Sequence, residues 1–245
     1  MKKIVLGLLL LTTTINFAQE KVLLRLNYKK GDKYEMSMKM KNDMGPALMD
    51  MTMNMQIDID DVVKETYQTR TKFTYLSTTV LQGGEEKVNY NSSMKEEELS
   101  EEAKKFRSEM QPMLDGIIFS EVTNLGENKI IKVEPNMPVM DKMANQSNNT
   151  VVYPNEAVSV GSEWVNIQDN QGMKMEITYK VTGITKEKVL ADVIGKMEIM
   201  PTAKITGNIE IDRITGIPMK SIINVEIDAM GTKMKSSVVG TMVKL

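Results

Sequence analysis

Strict alternation of apolar and polar side chains over ten residues is the feature that most constrains the fold of this chain. Between Met51 and Asp60 every odd position is Met or Ile, and every even position is polar. Successive side chains of a β-strand point to opposite faces, so this period gives one apolar face and one polar face. Antiparallel sheets that pack on one side have this pattern. The segment therefore predicts a long, half-buried antiparallel strand.

The same period recurs along most of the chain. Residues 34–40 place Met36, Met38 and Met40 on one face, and residues 42–46 are a predicted turn before the next strand. Further strands are predicted at residues 22–27, 67–80, 87–91, 116–122, 129–133, 173–182, 189–199, 203–211, 217–229 and 232–243. Many of them exceed the usual length of about five or six residues. They predict one large curved antiparallel sheet, a half-barrel or incomplete barrel.

Two segments have helical spacing instead. Residues 96–114 repeat apolar side chains along one helical face, and five glutamates within residues 96–102 precede Lys104, Lys105 and Arg107, which suits the helix dipole. Residues 138–145 predict a shorter second helix with Met140 and Met143 on one side. The predicted fold is therefore mainly β, with one or two helices packed on the apolar face of the sheet. No change of composition marks a boundary, so we expect residues 19–245 to form a single β-rich domain.

The N-terminal residues have the three parts of a secretory signal peptide. Lys2 and Lys3 are followed by an apolar run at residues 4–11, which is too short to span a bilayer as a helix. A polar stretch then ends at Ala18, so we expect cleavage between Ala18 and Gln19. The junction resembles those of exported proteins of flavobacteria-like organisms. Residues 1–18 are thus a predicted signal peptide, and the protein is expected in the periplasm or outside the cell.

Composition excludes several functions. The chain has no His and no Cys, so imidazole bases, thiol nucleophiles and the common zinc sites are absent. Its net charge is −2, and removal of Lys2 and Lys3 with the signal peptide makes this 29 − 33 = −4, which argues against nucleic acid. One Trp, seven Tyr and four Phe are too few for the aromatic girdles of an integral membrane barrel. We predict a protein without enzymatic activity, cofactor or membrane insertion.

The 23 methionines carry the main chemical suggestion. If residues 34–40 and 49–60 form a hairpin, one register pairs Met36 with Met55, Met38 with Met53 and Met40 with Met51. Three interpretations remain open: core packing in place of Leu, an adaptable apolar cavity, or a Cu(I) site of thioethers. The predicted ligand-lining residues are Met36, Met38, Met40, Met51, Met53, Met55, Phe106, Met110, Met140 and Met143.

Three short motifs carry a resemblance to a known group of proteins. Residues 26–34 (Leu-Asn-Tyr-Lys-Lys-Gly-Asp-Lys-Tyr), 153–164 (Tyr-Pro-Asn-Glu-Ala-Val-Ser-Val-Gly-Ser-Glu-Trp) and 212–218 (Asp-Arg-Ile-Thr-Gly-Ile-Pro) occur together. Together they resemble a family of uncharacterised secreted proteins of Gram-negative bacteria, known only as a domain of unknown function. None of the motifs holds a reactive group, so the resemblance implies a shared architecture.

More distantly, long strands around helices are similar to the periplasmic lipoprotein-carrier half-barrels, whose concave face holds an acyl chain. This resemblance implies that the concave, Met-lined face binds an apolar or lipid-like ligand. A Cu(I)-binding Met-rich protein and a structural or interaction protein without a small ligand are the alternatives.

Overall fold

The computed structural model of the protein describes residues 20–135, 151–170, 173–198, 200, 202–229 and 232–245. Within these ranges there are twelve strands and one α-helix. The strands are β1 Lys33–Asp43, β2 Ala47–Val63, β3 Thr66–Gln82, β4 Glu85–Asn91, β5 Ile117–Thr123, β6 Asn128–Glu134, β7 Glu163–Asn170, β8 Met173–Ile184, β9 Lys188–Met197, β10 Lys204–Asp212, β11 Pro218–Ala229 and β12 Thr232–Lys244. Helix α1 spans Glu101–Asp115 and follows a 3₁₀ turn at Glu96–Glu98.

All twelve strands of the described chain belong to one antiparallel sheet. The strand order is β6-β5-β3-β2-β1-β12-β11-β10-β9-β8-β7, and β4 pairs with the second half of β3. The first and last strands pair with each other, from Tyr34 with Lys244 to Asp43 with Lys235. In the described ranges no ladder joins β6 to β7, so the sheet is open. The predicted large antiparallel sheet is confirmed.

The sheet curls so that one face is internal. Ser120 of β5 and Tyr179 of β8 lie near opposite ends of the strand order, yet they line the same cavity. Two strands so far apart in the sheet can line one cavity only if the sheet bends around it. The period-two apolar residues form this inner face, which confirms the half-barrel predicted from the alternation.

Two apolar cores cover parts of the inner face. The larger core includes Tyr34, Ile59, Trp164, Val189 and Ile211, and it also contains buried residues from the chain before β1. The smaller core joins α1 to β3 and β4, and its buried members are Leu76, Tyr90, Leu99, Ala103, Met113, Ile118 and Val133. The prediction that a helix packs on the apolar face of the sheet is therefore confirmed.

Helix α1 begins later than its spacing predicts. Leu99 and Ser100 have extended backbone angles, and the Ser100 side chain accepts a hydrogen bond from the Ala103 amide (3.2 Å). Ser is a strong N-cap residue because its oxygen satisfies one free amide of the first turn. The predicted helix 96–114 is thus wrong at its start. Leu99 is still buried, because the extended segment brings it into the smaller core.

The predicted strand at residues 22–27 is also wrong. This segment is extended, and Val22, Leu24 and Leu26 are buried while Leu23 is 53% exposed. Its hydrogen bonds run mostly to loops, from the Leu26 amide to Asn124 O and from the Asn27 amide to Thr215 O (both 2.8 Å). Only Val22 pairs in a β-bridge, with Val158. We call residues 20–28 the strap, because they cross one end of the curled sheet.

The three motifs of the family resemblance meet at the strap. Tyr153 Oη donates to Gly216 O (2.6 Å), and the strap residue Asn27 binds Thr215 O. Trp164 Nε1 donates to Val152 O (3.0 Å). Gly216 has φ +66°, and its α-carbon faces the Arg25 backbone. The motifs therefore build one end of the molecule.

One strand is missing from the sequence prediction. β7 is a sheet edge whose inner side carries Trp164, Asn166 and Gln168, while Val165 and Ile167 are 52% and 73% exposed. In β7 the apolar side chains of Val165 and Ile167 face outward and polar side chains face inward, which is the reverse of the other strands. The alternation therefore did not predict a strand with an apolar inner face. The predicted signal peptide at 1–18 and the predicted helix at 138–145 lie outside the described residues.

Candidate functional site

The inner face and the strap enclose a partly open cavity of about 260 Å³. Strands β1, β2, β3, β5, β6 and β8–β12 contribute side chains to its wall, and the strap contributes Leu26 and Tyr28. Among the described residues that line it there is no Asp, Glu, Lys or Arg. An engineered cavity of about 150 Å³ accommodates benzene, so this space has room for a larger apolar group.

Aliphatic side chains and thioethers form one part of the cavity wall. Met36 of β1 faces Met242 of β12 in the ladder, and both line the cavity. Ile57, Ile209 and Ile223 join them from β2, β10 and β11. These residues are brought together by the register of the sheet, which puts each of them on the inner face.

Hydroxyl groups form a second part of the wall. Thr69 and Thr71 lie on the same side of β3, and Ser120 of β5 stands directly opposite Thr69. Thr69 and Ser120 are each 6% exposed. On the other side of the cavity, Ser221 Oγ lies 2.8 Å from the position that a Cβ of Gly240 would take. Gly240 therefore leaves room for this hydroxyl.

A stacked aromatic pair adjoins the cavity. Tyr179 lines it, and the Tyr179 ring stacks on the ring of Trp164 with centroids 5.0 Å apart and an interplanar angle of 12°. Burial raises the pKa of Tyr179 to about 12. Burial likewise raises the pKa of Tyr28, which also lines the cavity, and the Coulombic effect of Tyr67 adds to it. Both phenols are thus neutral hydroxyls at any physiological pH.

The predicted Met ladder is present. Met36 pairs with Met55, Met38 with Met53 and Met40 with Met51, which is the register named as one possibility from the sequence. Because Met36 also faces Met242 on its other side, Met55, Met36 and Met242 form a row across three strands. Side chains in such directly opposed positions have Cβ atoms about 4.5–5.5 Å apart.

The predicted ligand-lining residues fall into separate groups. Of those that belong to the described chain, Met36 alone lines the cavity. Those that pack against the smaller core are Met51 and Met53 of β2 and Phe106 and Met110 of α1. Those that lie half-buried on the inner face, outside both described cores, are Met38, Met40 and Met55. Met140 and Met143 lie outside the described residues.

The hydroxyl wall, by which we mean Thr69, Thr71 and Ser120, and the strap are not predicted from the sequence as parts of the site. Thr69, Thr71 and Ser120 occupy the apolar positions of their strands, and a small polar residue there is the only available signal. The strap was assigned to the sheet, because its alternation is that of a strand.

Other surfaces of the described chain are less suited to an apolar ligand. A depression of about 470 Å³ includes Lys41, Asp50, Glu226 and Lys235, and another of about 440 Å³ along α1 includes Lys104 and Arg107. Within the described ranges, no three acidic side chains are grouped so that they could hold a metal ion. Of the helical segments described, none has the length and hydropathy needed to span a membrane.

The sequence matches no known family, and it matches no curated protein. Among solved structures, a structure of lipid–protein interactions in lipovitellin superposes with a TM-score of 0.53 at 11% identity. The match covers 89% of this chain but 25% of the lipovitellin chain, so this protein corresponds to about a quarter of that molecule. The likeness shows a shared fold.

Two bacterial structures are also among the neighbours. A DUF1329 family protein from Desulfovibrio piger is 8% identical, with 88% of this chain and 85% of that chain covered and a TM-score of 0.23. A putative outer membrane lipoprotein-sorting protein domain from Vibrio parahaemolyticus is also 8% identical, with coverages of 86% and 85% and a TM-score of 0.23. At these TM-scores neither superposition supports a conclusion about this protein.

Proposed function

We propose that this is an exported, non-enzymatic protein that binds one apolar or lipid-like molecule in the cavity between its curled sheet and the strap. The observation that carries the proposal is the composition of the cavity wall, which joins aliphatic, thioether and hydroxyl groups and has no charged side chain among the described residues. Ligand sites are typically concave and mostly apolar, with a few polar groups.

Two further observations support this function. Met36 and Met242 are unbranched and polarizable, so they adapt to ligands of varied shape. The fold is shared with a part of lipovitellin, whose structure concerns lipid–protein interactions. The absence of His and Cys from the whole chain supports a binding role over a catalytic one.

Native mass spectrometry of protein purified without detergent tests the proposal. We expect a bound species of lipid-like mass, released by unfolding in urea and absent after refolding. The neutral dye N-phenylnaphthylamine should then bind the refolded protein with increased fluorescence. A refolded protein that binds no dye, and carried nothing when purified, would refute the function.

A pair of matched variants tests whether the ligand binds in this cavity. Ser221→Phe puts a ring into the space over Gly240, so dye binding should fall at least about ten-fold. Thr178→Phe makes the same kind of change on the outer face, where Thr178 lies between Val165 and Ile194, and should leave binding unchanged. Equal effects of the two variants would place the dye elsewhere.

The Met row supports Cu(I) binding as a second candidate function. Thioethers are soft ligands that select Cu(I), and the ladder places Met55, Met36 and Met242 side by side. Titration with Cu(I) against a competing chelator tests it. Met36→Leu would abolish metal uptake but keep dye binding, because the volume of the side chain is preserved.

A further inference from the structure

The hydroxyl wall bears on which apolar molecules the cavity accepts. Thr69 and Thr71 alternate with Arg70 along β3, and this alternation puts the charge on the opposite face. The Arg70 guanidinium lies 3.1 Å from an Asp58 oxygen and 3.2 Å from an Asp60 oxygen. The Arg70 charge is thus held outside, and the inner side of the same strand presents hydroxyls.

On the β11 side of the cavity the charged side chain likewise lies outside and the hydroxyl inside. Lys220 is exposed on the outer face, while its neighbour Ser221 turns its hydroxyl inward over Gly240. A carboxylate or phosphate in this cavity would therefore leave water without meeting a positive charge. Burial of an unpaired charge is strongly unfavourable, whereas a hydroxyl or ester group needs only hydrogen-bond partners.

We infer that the cavity selects uncharged amphiphiles, namely an alkyl chain with a hydroxyl or ester head group, and rejects the corresponding fatty-acid anion. The head group exchanges hydrogen bonds with Thr71 and Ser120, and the chain lies against Met36, Ile223 and Met242. This inference rests on the proposed function, because it names the ligand class of the same cavity.

The inference is tested by comparing decanol with decanoate at pH 8. The chain has one Trp, Trp164, whose ring stacks on the cavity residue Tyr179, so tryptophan fluorescence reports occupancy of the cavity. Displacement of N-phenylnaphthylamine gives a second, independent readout. We expect decanoate to bind at least about ten-fold more weakly than decanol, because its carboxylate must be desolvated without a counter-charge.

Variants of the hydroxyl wall complete the experiment. Thr71→Val and Ser120→Ala remove one hydroxyl each, and each should weaken decanol binding about five-fold, the equivalent of one hydrogen bond. Thr178→Val, on the outer face, is the matched control and should leave decanol binding unchanged.

The possible outcomes distinguish a failure of this inference from a failure of the proposed binding function. If the dye and decanol bind but decanoate binds as tightly as decanol, or the hydroxyl variants bind decanol normally, the selection of neutral head groups is wrong and the binding function stands. If the folded protein binds neither the dye nor decanol, both are wrong.

Discussion

Met38 and Met53 face each other in the β1–β2 ladder, yet their surroundings differ. Met53 packs against the smaller core beneath α1, whereas Met38 packs against neither core in the described part of the chain. Removal of a well-packed side chain leaves a void, so Met53→Ala should lower the free energy of unfolding by about 2 kcal/mol. Met38→Ala should cost less than about 1 kcal/mol, because its contacts are already incomplete. Urea unfolding measures both, and Met→Leu at each position is a volume-preserving control. Equal losses of about 2 kcal/mol at the two positions would show that both methionines are core, and equal losses near zero would show that neither is.

At the scale of elements, the sequence predicts the strands whose apolar side chains face inward and whose partners are other strands, and it fails for β7 and the strap. The unbroken alternation predicted β2, and the condition that both Met rows share one face allowed several β1–β2 registers, one of which the structure has. β7 was missed because Asn166 and Gln168 face inward. The strap was misassigned for the opposite reason: its alternation is real, but its partners are loops distant in sequence, which a local pattern does not contain. The cavity wall was only partly predictable, since Ser120 and Tyr179 meet only through the curl of the sheet.

The contact between the strap and the β10–β11 turn gives a prediction at this scale. A Cβ on Gly216 would collide with the Arg25 backbone, and Gly216 also has φ +66°. Gly31 has φ +85° with open space around it, so it isolates the conformational cost. We expect Gly31→Ala to lower the free energy of unfolding by about 1–2 kcal/mol. Gly216→Ala should cost at least about 3 kcal/mol, because backbone must also move. Chemical denaturation compares them, and similar losses would mean that the strap adapts without cost.

At the scale of the whole molecule, the strap end depends on buried tyrosines. The Tyr28 ring contacts those of Tyr34 and Tyr67, with centroids 5.2 and 5.1 Å apart. Tyr67 Oη donates to Leu26 O and Tyr153 Oη to Gly216 O, both at 2.6 Å. Burial raises the pKa of Tyr67 and raises that of Tyr153 well above its ordinary value. One end of the half-barrel is therefore held by phenols that must stay neutral.

Because burial raises the pKa of these tyrosines and of Tyr179, the stability of the molecule is sensitive to alkali. A tyrosine whose pKa is higher in the folded state binds its proton more tightly there, so its contribution is complete below pH 10 and is lost as pH rises through the folded value. For Tyr179, with a pKa of about 12 against an ordinary 10, the free energy of unfolding should be about 1 kcal/mol lower at pH 11 than at pH 9. Lysine deprotonation acts over the same interval, so the measurement is the difference between the wild type and Tyr179→Phe in urea unfolding at the two pH values. The variant should lose about 1 kcal/mol less than the wild type; identical losses would show that water reaches the Tyr179 hydroxyl in the folded protein.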